Sequence, residues 1–368
     1  MLKRFVRVTL LMVLFVLLSA FVGVVQSQSV ELPPLTEPGP YGVRIQKMTF
    51  VDESRDNWEL EAFIWYPADK TQGEPSMSGS LVLRDAPPDR SGAPYPLILY
   101  SHSWLGSSAQ FNKAVEQLAS YGFVVAAPQH HDTDPPIHEL VDRPLDIMRV
   151  LDGLAEITEG DFAGMIDTNN VGLMGYQLGG TTALQLLGLE RDPAFFAAWC
   201  AEHPDLRTWD CNPKHSGGSW PFEEITTYRD QLGLGNLPDG SWAPFGDDRI
   251  RAVLVLDSWG FPLTTEDMLE GVITPTMVIQ GTHNASGDYE GNAVRTYTHL
   301  GTEDRYLITM VNGLGDTFYS QQNVPQHFGT AFFGRYLKED ETFAPYLTPE
   351  GLPDWGHPEL AWGPYEGD

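Results

Sequence analysis

The chain has 368 residues, 42% of them hydrophobic, and carries a formal net charge of −28 from 50 acidic against 22 basic residues. There is apolar material for a large core, and a charge of this sign and size excludes nucleic acid and anionic membrane surfaces as partners.

Residues 1–27 open with Lys3, Arg4 and Arg7 and continue as an apolar run from Val8 to Val25, interrupted only by Thr9, Ser19 and Gly23. With Val25-Gln26-Ser27 where a signal peptidase reads, this is the pattern of a signal peptide. A run of about 18 apolar residues also suits an uncleaved N-terminal membrane anchor. No cysteine follows it, which excludes a lipoprotein anchor. The expectation is an exported protein: secreted, periplasmic, cell-surface or, with the signal retained, membrane-anchored. Outside the cytoplasm the two cysteines, Cys200 and Cys211, are expected to pair, closing a short loop worth on the order of 3 kcal/mol.

Residues 28–42, with Pro33, Pro34, Pro38 and Pro40, read as an extended linker. Val43 to Val51 and Leu60 to Tyr66 alternate as an antiparallel strand pair, and Pro67 to Pro94 reads as a surface loop. Tyr95 to Tyr100 is a strand, Ala109 to Ser120 a helix, Phe123 to Ala127 a buried strand. A helix spans Asp146 to Ile157, with Pro144 near its start. The strand from Val171 to Met174 and the helical run from Thr181 to Leu189 flank the turn Gly175-Tyr176-Gln177-Leu178-Gly179-Gly180. Asp192 to Asp248 breaks the alternation and reads as a cap insertion. Strands resume at Ile250 to Leu256, Thr276 to Gln280 and Tyr306 to Val311. A helix over Val324 to Leu337 closes the domain at about residue 340, and 341–368 reads as a C-terminal tail. The alternation predicts an α/β architecture with a mostly parallel, doubly wound sheet and helices on both faces. In such sheets the site lies at the C-terminal ends of the strands.

The glycine-flanked turn after the Val171 strand has the layout of a nucleophile elbow, G-x-S-x-G, in which glycines are needed because the turn is so sharp. Its central position, where a hydrolase carries Ser, Cys or Asp, holds Gln177. An amide nitrogen, its lone pair delocalised into the carbonyl, is not a usable nucleophile.

Three stretches resemble the platelet-activating-factor acetylhydrolase-like branch of the α/β-hydrolases, which adjoins dienelactone-hydrolase-like esterases and polyester cutinases. They are Ser101-His102 with Gly106 and the run from Leu118 to Ala127, the turn from Gly175 to Gly180, and the segment from Leu256 to Leu263. The resemblance covers most of residues 40–340 and weakens in the insertion; it implies an α/β-hydrolase fold, which the elements assign to residues 43–340 with the 192–248 insertion as cap. It implies a nucleophile at Gln177, an acid at Asp257 and a histidine in Asn312 to Thr317, where Asp316 stands instead. The esterase branch places its acid one strand later, at Asn284. Of these four positions only Asp257 keeps a residue the chemistry needs. Backbone N–H groups of Trp104, Leu105 and Leu178 are the expected oxyanion donors. His102, Tyr176 and Trp259 are the expected pocket residues, each weighed against loop hydrogen bonding or ordinary core packing. His130, His131, Asp132 and Asp134 have no diagnostic metal-ligand spacing and read as a polar loop, so neither metal nor cofactor is expected.

The reading is an exported relative of lipid and carboxylester hydrolases, with its catalytic residues replaced, that binds a small apolar or ester-like ligand. Two others stand beside it: an active carboxylester hydrolase using non-standard residues, for which His102, His130, His131, His283 and His327 are the candidate bases, with His102 and the His130-His131 pair at strand ends, and an anchored interaction module acting through its cap.

Overall fold

The computed structural model describes residues 32–133, 138–202, 221–259, 264–283, 289–315, 317–356 and 359–367. Residues Met1–Leu32 make one unit, of which only Leu32 is described, and Pro33–Asp368 make the other. The expected export signal, together with Asp134, Cys211, Asn284 and Asp316, lies outside the described residues, as does any bond between Cys211 and Cys200. Among the described residues no helix is long and apolar enough to cross a membrane.

Nine strands form one sheet. They are β1 (Gly42–Asp52), β2 (Trp58–Ala68), β3 (Tyr95–Ser101), β4 (Val124–Pro128), β5 (Ile166–Tyr176), β6 (Ile250–Leu256), β7 (Thr276–Gly281), β8 (Arg305–Val311) and β9 (Glu359–Trp362). Their order is β1-β2-β4-β3-β5-β6-β7-β8-β9. The strands from β4 to β8 run parallel, while β1, β2 and β9 pair antiparallel at the two edges. This is the mostly parallel, doubly wound sheet of an α/β-hydrolase fold.

Strand alternation sorts the core into two faces. Leu97, Leu99, Leu173, Val253, Val255 and Val278 point to one side, packed by α2 (Glu139–Ala155) and α3 (Leu178–Gln185). Ile98, Tyr100, Met174, Leu254, Leu256 and Met277 point to the other, packed by α1 (Asn112–Ser120) and α8 (Asn323–Leu337). The central strands are apolar on both faces because both faces are covered.

Three expectations need correction. The helix placed at Asp146 to Ile157 begins seven residues earlier, so Pro144 lies inside α2 and not near its start. Proline has no N–H to donate to the carbonyl four residues back; that carbonyl, Leu140 O, is instead capped by Gln185 Nε2 from α3 at 2.9 Å. The loop from Pro67 to Pro94 contains a small antiparallel pair, Glu74–Pro75 with Leu83–Arg84. The C-terminal stretch supplies β9, which pairs with β8 and covers that edge of the sheet.

The insertion contributes α4 (Pro193–Glu202) and α5 (Phe222–Gln231). Trp242, fully buried, stands against Phe222 at 5.9 Å between ring centroids, and Phe222 against Phe196 at 5.4 Å. Tyr228 on α5 donates its hydroxyl to Asp142 on α2 at 2.8 Å and stacks on His138. The aromatic cluster thus holds the insertion together, and Tyr228 seats it on the domain through His138 and Asp142.

Candidate functional site

Gln177 stands between the end of β5 and the start of α3 with φ 49° and ψ −116°, in the left-handed half of backbone space. For a non-glycine residue this costs about 1–3 kcal/mol and persists only where the surroundings hold it. Here its N–H donates to Leu256 O at 3.0 Å, and its carbonyl accepts from Trp259 N and Thr181 N, both at 3.1 Å. The glycines around it have separate steric reasons. A Cβ on Gly175 would sit 2.1 Å from the carbonyl oxygen of Gly179, and one on Gly179 would sit 2.0 Å from that of Ser101. The sharp strand–turn–helix is present in full, with a half-buried glutamine at its tip.

Asp257 follows β6 directly, fully buried and itself at φ 47°. Among the described residues Oδ1 receives only a long hydrogen bond from Gly281 N at 3.5 Å, and Oδ2 has no partner. Burial pushes the carboxyl up to about 7. A buried carboxylate normally has a cation or several donors around it. Among the described residues no histidine bonds Asp257: His283 is exposed and meets Thr282, and His327 accepts from Leu35 N through Nδ1. The acid position is intact in residue type and bereft of its partner.

The turn after β3 is clamped rather than open. Arg143 grips Asp132 with Nε and Nη2 at 2.9 and 2.6 Å, and donates to the carbonyls of His102 and Ser103 at 2.5 and 3.0 Å. Leu105, at φ 51°, donates its N–H to Asp132 Oδ2 at 2.8 Å. Of the three expected oxyanion donors, Leu105 N–H is therefore already engaged. Leu178 N–H, at the first position of α3, has no intrahelical acceptor. The Trp104 indole donates to Thr133 O at 2.8 Å, and its ring lies 5.6 Å from that of Trp259. His102 and Tyr176 do not line an open pocket. His102 is fully buried: His130 N–H donates to its Nε2 at 3.1 Å, so Nδ1–H must donate to Ser103 O at 2.7 Å. Burial beside His130 holds it neutral, pushed down to about 2. Tyr176 packs among Phe111 and Phe318 on the α1/α8 face and donates its hydroxyl to Gly315 O at 2.7 Å.

The structure also joins three residues that sequence order separates. Ser101 Oγ lies 2.9 Å from His130 Nε2, and His130 Nδ1 lies 2.9 Å from Asp146 Oδ2. Asp146 Oδ1 accepts from Arg55 Nη2 at 2.7 Å. Burial raises the Asp146 carboxyl to about 6, against the opposing pull of Arg55, so it is ionised at neutral pH. An ionised carboxylate only accepts, so His130 Nδ1–H donates to it and Nε2 is left to accept from the Ser101 hydroxyl. Desolvation and Arg143 keep this imidazole neutral. The chain Ser101–His130–Asp146 thus has the tautomer and polarity of a nucleophile–base–acid relay. It is also sealed, with Ser101 2%, His130 4% and Asp146 1% exposed. The signal for it is that Ser101 ends β3 and His130 lies two residues beyond the adjacent β4; α2 then brings Asp146 over them. His131 points outward against Trp58, and no group of acidic, histidine or cysteine side chains among the described residues is arranged to hold a metal.

A sheet of this order, with a strained elbow after β5 and an acid after β6, gives the chain the architecture of an α/β-hydrolase fold. Residues 65–198, from β2 through the elbow into α4, match the family model described as chlorophyllase. That match supports an esterase-type α/β-hydrolase and not the acetylhydrolase branch in particular. A comparison with curated proteins finds no match.

Proposed function

We propose that this chain is an exported esterase-type α/β-hydrolase-fold protein, related to the acetylhydrolase-like lipid and carboxylester hydrolases, that binds an apolar or ester-like ligand without turning it over. The observation that carries the reading is Gln177 at the tip of an otherwise complete elbow. Asp257 agrees with it: no described histidine bonds this buried acid, as expected of the remnant of a relay. The retained elements are those of binding, with the Trp104–Trp259 pair above the turn and a clamped β3 turn. The test is a panel of p-nitrophenyl esters of increasing acyl length, followed by thermal stability of the full chain with the non-hydrolysable ether analogues. The expected result is no turnover above background and a saturable rise in Tm with one chain-length class.

A second reading has one observation in its favour. The Ser101–His130–Asp146 chain has the order of hydrogen bonds needed to activate a serine. Hydrolysis through it requires the turn from His102 to Leu105 to lift away, breaking the Arg143 and Asp132 contacts that pin it. If the ester panel shows turnover, this reading requires that Ser101→Ala abolish it and Gln177→Ala leave it unchanged.

A further inference from the structure

Arg191, at the threshold of the insertion, is 5% exposed. Its backbone is fixed to Trp242 by reciprocal hydrogen bonds of 2.7 and 3.4 Å. Its guanidinium has only a weak contact, from Nη2 to Thr181 O at 3.3 Å, and Nε has no partner. Among the described residues no carboxylate pairs with it. The charged neighbour that acts on it is Arg229, of the same sign, and burial with that repulsion pushes the guanidinium down to about 9, still protonated at neutral pH. A buried cation without a counter-charge is strongly destabilising. It is the more unexpected in a chain with 50 acidic residues against 22 basic ones.

Arg191 lines a chamber of about 30 Å³ behind the elbow helix, together with Thr181, Ser258, Asn292, Arg295 and Thr296. Asn292 Nδ2 donates to Ser258 Oγ at 2.8 Å, which leaves the serine hydrogen to donate elsewhere. Arg295 donates through Nη2 to Thr264 O at 2.8 Å, and its Nε stands 3.8 Å from the exposed carboxylate of Glu266. Thr181 Oγ1 already donates to Trp259 O, so the chamber combines a guanidinium with no described counter-charge, a weakly compensated one and the hydroxyl hydrogen of Ser258. Its size is that of roughly one water or one monatomic ion, too small for sulfate, phosphate or a ligand carboxylate. Water in that space satisfies Nε but leaves the charge.

We propose that the chamber is a halide site, in which a chloride ion rests against Arg191 between Thr181 of the elbow helix and Ser258 of the turn after the acid. The ion supplies the negative charge that the described residues around Arg191 lack, and it ties the base of the insertion to both catalytic-position turns.

The experiment is thermal unfolding of the full chain in sodium chloride or bromide against sodium gluconate at fixed ionic strength. Above saturation the Tm should rise by about 2 °C per tenfold increase in halide. Bromide should replace chloride, and sulfate should not. In Arg191→Met, which removes the charge at similar volume, the halide response should vanish, and the variant should match or exceed the wild type in gluconate. Crystals of the wild type grown in bromide should show an anomalous peak in the chamber, a readout that does not depend on the variant folding. An equal halide response in Arg191→Met, or a chamber without anomalous signal in bromide, overturns the proposal.

Discussion

Asp257→Asn tests the description of the acid position most quantitatively. In the folded chain the carboxyl titrates at about 7 because it is buried with Oδ2 unpartnered, against 3.8 as its ordinary value. A group whose pKa is raised by folding contributes stability that is fully present below the unfolded pKa and lost as pH rises through the folded one. The window is therefore from about pH 4 to about pH 7. At roughly 1.4 kcal/mol per pKa unit, the raised carboxyl lowers stability, relative to low pH, by about 1.5–2 kcal/mol at pH 5, where only the unfolded chain ionises, and by about 4 kcal/mol at pH 8.5, where both states do. Asparagine keeps the acceptor for Gly281 N, places an amide where the protonated acid has its hydroxyl, and is at home at positive φ. It mimics the neutral acid at every pH. Urea unfolding of both proteins at pH 5 and pH 8.5 should show the variant gaining on the wild type by roughly 2–3 kcal/mol between the two. Other raised carboxyls such as Asp146, Asp142 and Glu116 shape both profiles, so the difference between the proteins isolates Asp257. A gap that stays constant with pH, or a variant that loses ground at pH 8.5, refutes the idea of an unpartnered acid.

Gly179→Ala should destabilise by more than about 3 kcal/mol or prevent folding, because the new Cβ meets the Ser101 carbonyl oxygen at 2.0 Å, backbone against backbone; chemical denaturation checks it. Gln185→Leu leaves the Leu140 carbonyl, freed by Pro144, without a donor, and should cost about 1–3 kcal/mol in the same assay. Gln177→Ser combined with Asp316→His should give measurable hydrolysis of short acyl esters, with neither single variant active, since the serine needs its base. Adding Asp257→Asn to that pair should remove most of the regained rate, whereas Asn284→Asp should matter little; the reverse pattern assigns the acid to the later strand.

The parts of this fold legible in the sequence are those where a local rule leaves one solution. The strands from β3 to β8 are short apolar runs bounded by turn residues, and their two-sided burial explains why they lack alternation. The elbow is legible because Gly175 and Gly179 each answer a backbone approach that no side chain tolerates, with Gly180 packed closely against Ser258 and Val255. Pro144 misled as a helix boundary because the residue that compensates it, Gln185, lies 41 positions away in another helix. The Ser101–His130–Asp146 chain was hidden for the same reason: strand order β4-β3-β5 makes neighbours of residues whose spacing carries no motif. Composition tells that basic residues are scarce, not that Arg191 is sealed away without an acid. The oxyanion reading at Leu105 failed on a side chain, Asp132, that takes up the donor the backbone offers.

The central claim is that the elbow of this α/β-hydrolase-fold chain is disarmed by Gln177 while its scaffold persists. Incubation of the intact protein with a serine-reactive fluorophosphonate, followed by intact-mass and peptide analysis beside an active esterase, tests it most directly. The account predicts no adduct on any serine while the control labels completely. A stoichiometric adduct on Ser101 would contradict it and make the buried Ser101–His130–Asp146 chain the working site.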